Sequence, residues 1–220
     1  MFAGHIGAAL AIGRAERRVN VGAFVLAALL LDAVLWLFVL LGIEGVTIPA
    51  DFARTHQPRF TFPYSHGLVG AIIWSVLAGA IVYGRPRVHD ARLRAAALVG
   101  AAVLSHWLLD ALVHAPELPL AGADSPRVGL GLWQRMPVAL AAEALIVAAG
   151  LLLYLPGAEL STTRKRAVIA LTLFTLGFTV VGMTIAPPPP SGTAMAASSL
   201  ASILVVSALA GWFGKPPAVR

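Results

Sequence analysis

The sequence predicts an all-α membrane protein: a polytopic helix bundle of about six spans, with a short re-entrant helix at the N-terminus. Three observations carry that prediction. The 220 residues are 59% hydrophobic and only 12% charged, outside the usual composition of a water-soluble domain. The apolar residues fall into runs of about 20, the length a helix needs to cross the hydrocarbon of a bilayer. The basic residues sit in short clusters between those runs, so the net charge of +6 reads as a set of topology signals and no nucleic-acid partner is expected. Cysteine is absent, which excludes thiolate metal ligands, disulfides and a cysteine nucleophile.

Taken in order, residues 2–13 (FAGHIGAALAIG) precede Arg14, Arg17 and Arg18. That order reverses a secretory signal peptide, so no cleaved leader is expected, and the stretch is too short to span, which predicts a short or re-entrant helix. The first full span, about 20–43, carries Asp32 near its middle, where a lone carboxylate is costly and marks a functional site. Residues 44–65 form a polar loop broken by Pro49, Pro58 and Pro63. His56 in this loop, and His89 in the basic stretch after the second span, read as solvated. Further spans are expected at about 66–84 with His66 in the first turn, at 93–114, at 136–155 with Glu143, and at 167–186 and 194–213, which hold no ionisable residue. The loop between the third and fourth spans is rich in Pro and Gly and ends near Arg135. Its GLGLW is no phosphate loop, because no strand precedes it and no Lys follows it. Pro187 to Pro190 demand a stiff turn outside the membrane. Two units result: a site-bearing bundle over 1–156 and a two-helix membrane hairpin over 157–220. The tryptophans fit interfacial or packing positions, and the abundant Gly and Ala permit close helix contact.

Orientation follows from the cations. One set of connections holds Arg14, Arg17, Arg18, Arg85, Arg87, Arg92, Arg94, Arg164, Lys165, Arg166, Lys215 and Arg220, twelve of the sixteen. The opposite set holds only Arg54, Arg59, Arg127 and Arg135. By the positive-inside rule the first side is cytoplasmic, and the C-terminus with it.

Within this apolar chain, SHWLLDALVH at 105–114 stands out. His106, Asp110 and His114 follow one another at intervals of four, so on a helix each turns only about 40° from the last and all three share a face. Imidazole and carboxylate suit zinc, manganese or iron, and the i, i+4 interval lets two side chains close on one ion. The plainer alternative is that they cap the wet end of a membrane helix. Depth favours the site: His66, Asp110 and His114 fall near the outer ends of their spans, Glu143 one or two turns lower, and Asp32 lower still. If the N-terminal helix points outward from its arginines, His5 reaches the depth of Asp32. With His106 about two turns deeper than His114, all seven positions can then meet in one pocket in the middle-to-outer half of the bilayer.

GHIGAALAIG at 4–13, LLLDAVLW around Asp32, PYSHGL at 63–68, SHWLLDALVH at 105–114 and LGLW with Glu143 after it resemble a large group of uncharacterised bacterial membrane proteins. That group is similar to the YdjM-like inner-membrane metal-dependent hydrolases, whose signature is an ordered series of His, Asp, His and His-x3-Asp. Those in turn resemble the zinc-dependent phospholipase C and single-strand nuclease superfamily, helical enzymes that use the same order of ligands for phosphoester hydrolysis. The resemblance covers about residues 1–150. It implies a bacterial inner-membrane location and a ligand set of His5, Asp32, His66, His106 and Asp110, with Asp110 bridging two ions and His114 as a further member. Glu143 matches the carboxylate of a His-x3-Glu pair whose histidine is replaced here by Ala139, which implies one or two ions rather than three. The amino group that the secreted phospholipases use as a ligand belongs here to Met1 and is not carried over.

The expected chemistry is metal-assisted hydrolysis of a phosphoester, with a lipid or lipid-linked phosphate as substrate and the lipid bilayer as surroundings. Asp32 serves as ligand or general base, and Glu143 as a second catalytic carboxylate. Arg127 and Arg135 are candidates to grip an anionic headgroup, against ordinary snorkelling to the interface. Two other classes compete. A transporter would use Asp32, the histidines and Glu143 as a proton or cation relay, and a scaffold would hold a structural metal without turnover.

Overall fold

In the computed structural model the described residues are 1–85 and 91–215. His89, expected to be solvated, and Arg87 and Arg220 of the basic set lie outside them. The elements in order are α1 (Phe2–Gly13), α2 (Val21–Ala28), α3 (Leu30–Leu40), β1 (Gly45–Thr47), α4 (Phe52–Thr55), β2 (Arg59–Thr61), α5 (Leu68–Tyr83) and α6 (Arg92–Val113). Then follow β3 (Leu118–Pro119), β4 (Arg127–Val128), a 3-10 turn over Leu132–Arg135, α7 (Met136–Tyr154), α8 (Thr162–Thr184) and α9 (Gly192–Phe213). The strands form two small antiparallel hairpins, β1 with β2 and β3 with β4, inside the two long polar loops.

Four helices are long and apolar enough to cross a membrane: α6, α7 with the turn before it, α8 and α9. α2 and α3 make a fifth candidate, bent by 55° at a one-residue break. The first span expected over 20–43 is therefore two helices bent against each other rather than one continuous helix. Neither Pro nor Gly marks the break at Leu29, whose φ and ψ of −103° and 7° leave the helix. Its cause is tertiary: the Ala28 carbonyl, at the end of α2, accepts a hydrogen bond from the His106 ring at 2.6 Å.

Polar residues set the helix starts where the sequence leaves the apolar runs. Asn20, Ser161 and Ser191 each accept a first-turn amide with the side chain, from Gly22, Arg164 and Ala194 respectively. The connections gather at two ends. At one, Arg17 donates to the Tyr154 carbonyl, Arg94 to Ala15, Asn20 to Gly211, and Arg164 to Trp212 and Lys215. At the other lie the two hairpin loops, with Gln57 of the first donating to the Trp133 carbonyl in the 3-10 turn. These are called below the arginine end and the hairpin end.

Large apolar side chains such as Val76, Ile81, Leu145 and Leu152 face outward, while His5, His66, His106, Asp110 and Glu143 face inward. In lipid, burial of apolar surface does little to bring helices together, so close backbone packing must contribute instead. It does so at glycines. A Cβ on Gly150 would lie 2.2 Å from the Gly7 carbonyl oxygen, and one on Gly22 would lie 2.5 Å from the Gly211 Cα. α1 is thereby seated on α7, and α9 on α2. α9 also contacts α3, and α8 contacts α1, so the C-terminal hairpin packs directly against the N-terminal helices. Gly150→Val is expected to lower the melting temperature in detergent by several degrees, overpacking of this kind costing about 1–3 kcal/mol or more. Gly177→Ala, where an added Cβ meets nothing within 4 Å, is expected to leave it unchanged or raised.

Candidate metal centre

α6 carries two thirds of the 105–114 comb as expected. His106 and Asp110 lie on its inner face and are almost wholly buried. The helix stops at Val113, so His114 is its extended C-cap residue rather than a helical one, yet its ring still turns back to Asp110. The stop is built by the GLG segment: Leu130 N–H donates to Ala111 O at 2.8 Å and Gly131 N–H to His114 O at 2.7 Å. That approach requires glycine. Gly129 and Gly131 have φ of +156° and +70°, and a Cβ on Gly129 would collide with the Ala115 carbonyl.

Other elements bring the remaining groups. α1 delivers His5, whose ring stacks on His106 with centroids 3.7 Å apart and planes 9° apart. The α2–α3 bend delivers Asp32 in the first turn of α3. His66 arrives on the turn before α5, held there by Glu44. One oxygen of that buried carboxylate accepts the amides of Tyr64 and Ser65 at 2.8 and 2.9 Å. Trp107 Nε1–H also donates to the His66 carbonyl at 3.0 Å.

The Asp110 carboxylate is the hub. Its Oδ1 lies 3.3 Å from the Met1 nitrogen and 3.2 Å from His5 Nε2. Its Oδ2 lies 3.1 Å from His106 Nε2, 3.5 Å from His66 Nε2 and 3.7 Å from His114 Nε2. Asp32 Oδ1 stands opposite, 3.5 Å from His66 Nε2 and 3.7 Å from His106 Nε2. His66 Nε2 and His106 Nε2 are themselves 3.3 Å apart. Two triads, His5–Asp32–His106 and His66–His106–Asp110, each offer three ligand atoms within 4.8 Å of one another.

The far sides of the rings are committed. A carbonyl only accepts, so the 2.6 Å contact with Ala28 O puts a proton on His106 Nδ1. His66 Nδ1 meets the Ser65 hydroxyl at 2.8 Å, and His114 Nδ1 meets the Glu117 carboxylate at 2.6 Å. With the proton on Nδ1, the other nitrogen of a neutral His106 ring carries a lone pair, and His106 Nε2 faces His66 Nε2 and the Asp32 and Asp110 carboxylates, where a cation between them would be held. An imidazole whose outer nitrogen donates to carbonyl or carboxylate is also how metal-bound histidine is normally oriented. His5 Nδ1 is buried without a hydrogen-bond partner, a further polar atom left uncompensated beside the cluster.

A cavity of about 370 Å³ opens onto this cluster, with Asp32, His66, Asp110, His114 and Glu143 among its walls. Asp32 is the most accessible of the ligand candidates, its side chain 22% exposed. Glu143 is placed apart from the hub. Its Oε2 accepts the Gly4 amide at 3.0 Å, one of the first-turn N–H groups of α1 that have no partner within the helix. Arg127 and Arg135 do not join the site. Both are exposed, neither lines the cavity, and Arg127 donates to the Ala123 carbonyl at 3.5 Å. They sit on β4 and in the 3-10 turn, on either side of the Gly129–Gly131 segment that caps α6, with their side chains exposed. His56 is a correction in the other direction: expected to be solvated, it is 9% exposed and lines the cavity. Its left-handed φ of +51° at the end of α4 folds the loop back over the pocket.

Sequence reasoning missed Glu44, Glu117, Ser65 and the Ala28 carbonyl, and it set aside the Met1 nitrogen, which lies 3.3 Å from Asp110 Oδ1. Ser65 had a signal in its adjacency to His66, and Glu117 in its i, i+3 spacing from His114. Glu44 and Ala28 act across long sequence distances and had none. No family model, curated protein or solved structure matches the chain. Glu143→Ala is expected to leave the Gly4 amide unpaired and lower stability by about 1–3 kcal/mol. Glu143→Gln, which still offers an acceptor, should lose much less, as thermal unfolding in detergent would measure.

Proposed function

We propose that the chain is a membrane-bound metal-dependent hydrolase that cleaves a phosphoester, with a lipid or lipid-linked phosphate as substrate. His5, Asp32, His66, His106 and Asp110, with His114 beside them, hold one or two divalent cations of the zinc, manganese or iron class. The observation that carries the reading is the convergence of the His66, His106 and His114 Nε2 atoms on the Asp32 and Asp110 carboxylates, each ring being tied down through Nδ1. In the proposed topology α2–α3, α5, α6, α7, α8 and α9 make six passes and α1 is a half-depth re-entrant helix. The arginine end is cytoplasmic, and the site opens to the outer side of a bacterial inner membrane. Residues 1–156 supply the ligands and 157–220 the remaining hairpin.

A bound divalent ion would lower the pKa of a coordinated water and polarise a phosphoryl oxygen. The chain's own residues supply the rest. Asp32, the most accessible carboxylate of the cluster, is positioned as ligand or as the base that takes a proton from water. Glu143 holds α1, and so His5, in place through Gly4. The catalytic carboxylate of this reading is therefore Asp32 alone. The cavity lining reaches the hairpin end through Phe52, His56, Pro58 and Trp133 and includes none of the residues named above at the arginine end, which favours a site entered from one side over a relay that crosses the membrane. The cavity also reaches the candidate ligands themselves, which favours turnover over a purely structural metal.

Elemental mass spectrometry of the purified protein is expected to find about one or two equivalents of zinc, manganese or iron. A folded His106→Ala, Asp110→Ala double variant should lose them. Asp32→Asn should slow phosphoester hydrolysis by roughly 10²–10⁴-fold, the range for a removed general base. A parent protein that takes up no metal after reconstitution at neutral pH would refute the reading.

A further inference from the structure

The α8–α9 hairpin brings no ligand to the cluster and lies beyond the residues that carry the resemblance, yet it forms one wall of the cavity. On α8 the lining includes Thr179, Gly182 and Met183; on α9 it includes Ser198, Ser199 and Ser202. Both sets recur at intervals of three and four, the spacing of a single helix face. Phe178 lines the same cavity while remaining 53% exposed, and Ser198 is exposed as well. The pocket therefore reaches the surface of the bundle along the α8–α9 seam, within helices long and apolar enough to stand in hydrocarbon.

Chemistry narrows what can occupy it. No Lys or Arg is among the lining residues, so a soluble polyanion would meet no cationic side chain there. The walls instead mix aromatic and aliphatic surface with serine hydroxyls, beneath which lies the His–Asp floor. At about 370 Å³ the cavity is near the lower bound for small-molecule sites, roughly 300–1,000 Å³, enough for a headgroup but not for two full acyl chains. A chain attached to a phosphate on the floor must leave sideways. At Gly182 the space is open: a Cβ there would meet nothing within 4 Å.

We propose that the α8–α9 seam is a lateral portal through which the hydrocarbon chain of an amphiphilic phosphoester passes into the bilayer while its phosphate rests on the His–Asp floor, with Gly182 leaving the room for that chain. The proposal builds on the hydrolase reading and names the substrate class for the same cavity.

The test uses the full chain, metal-loaded and reconstituted in nanodiscs, with a hexadecyl phosphonate carrying a mid-chain diazirine. After photolysis, labelled peptides are mapped by mass spectrometry. Labelling is expected on the facing stretches of α8 and α9 in preference to the lipid-facing side of α5, and to be displaced by unlabelled hexadecyl phosphonate. Gly182→Phe should reduce it about tenfold, at the low end of what one misfit in an apolar pocket gives, while melting temperature and metal content stay at the parent values. Equal labelling of α5 and α8, or unchanged labelling in a folded Gly182→Phe variant, would overturn the portal. Hydrolysis of p-nitrophenyl phosphate by the parent is measured separately. Portal labelling without hydrolysis of any ester rejects the enzyme and keeps the portal; hydrolysis without portal labelling does the reverse.

Discussion

The structure depends on the Asp110 carboxylate. Its two oxygens are approached by five nitrogens from four separate places in the chain: Met1 and His5 of the α1 segment, His66 before α5, His106 one turn back on α6, and His114 at the end of α6. An ionised carboxylate at this depth is costly without compensation, and here the compensation comes from elements that would otherwise have no reason to meet. Each is then fixed by a second contact further out: Ala28 for His106, Ser65 for His66, Glu117 for His114 and Glu143 for the start of α1. The polar interior specifies the arrangement, while the apolar exterior only requires that the helices lie in lipid.

That division explains what could be read from the sequence. The spans were legible because hydropathy and length act locally: the stretches expected at 93–114, 136–155 and 194–213 correspond closely to α6, α7 and α9. The ligand candidates were legible for the converse reason, since ionisable residues in apolar runs stand out one by one. His5, Asp32, His66, His106, Asp110 and His114 do come together. What was hidden is backbone and loop geometry. The bend at Leu29 lies in an unbroken run of Ala and Leu, and only a ring reaching across from α6 accounts for it. Glu44 looked like one more loop carboxylate until the hairpin folded it under Tyr64 and Ser65.

The arginines and His56 show the limit of inferring a side chain's direction from its place in a loop. Arg127 and Arg135 flank a segment whose backbone secures α6, and proximity in sequence suggested a role in the pocket. Their side chains point outward because the glycines between them, at positive φ, spend that segment on capping the helix. His56 sits in an equally polar stretch, but a left-handed residue after a single turn of helix reverses the chain and carries the ring inward. In both cases one or two backbone dihedrals decide the outcome, and side-chain composition does not encode them.

Irregular backbone at membrane depth is tolerated only where protein or a cavity covers it. Here the two irregularities coincide with the cluster: α1 begins beside Asp110, and α3 begins just past the bend, two residues before Asp32. A helix start carries the positive end of the helix dipole and amides without helical partners. Gly4 meets Glu143, so part of that potential is already spent within the protein. The remainder bears on a cavity whose walls hold carboxylates and no lysine or arginine. Under the hydrolase proposal a cation held by the histidines and carboxylates would supply the positive charge that an anionic headgroup needs, without any basic side chain having to be buried in the bilayer. The carboxylates of Asp32 and Asp110 are already directed to the histidine rings that would share that cation with them.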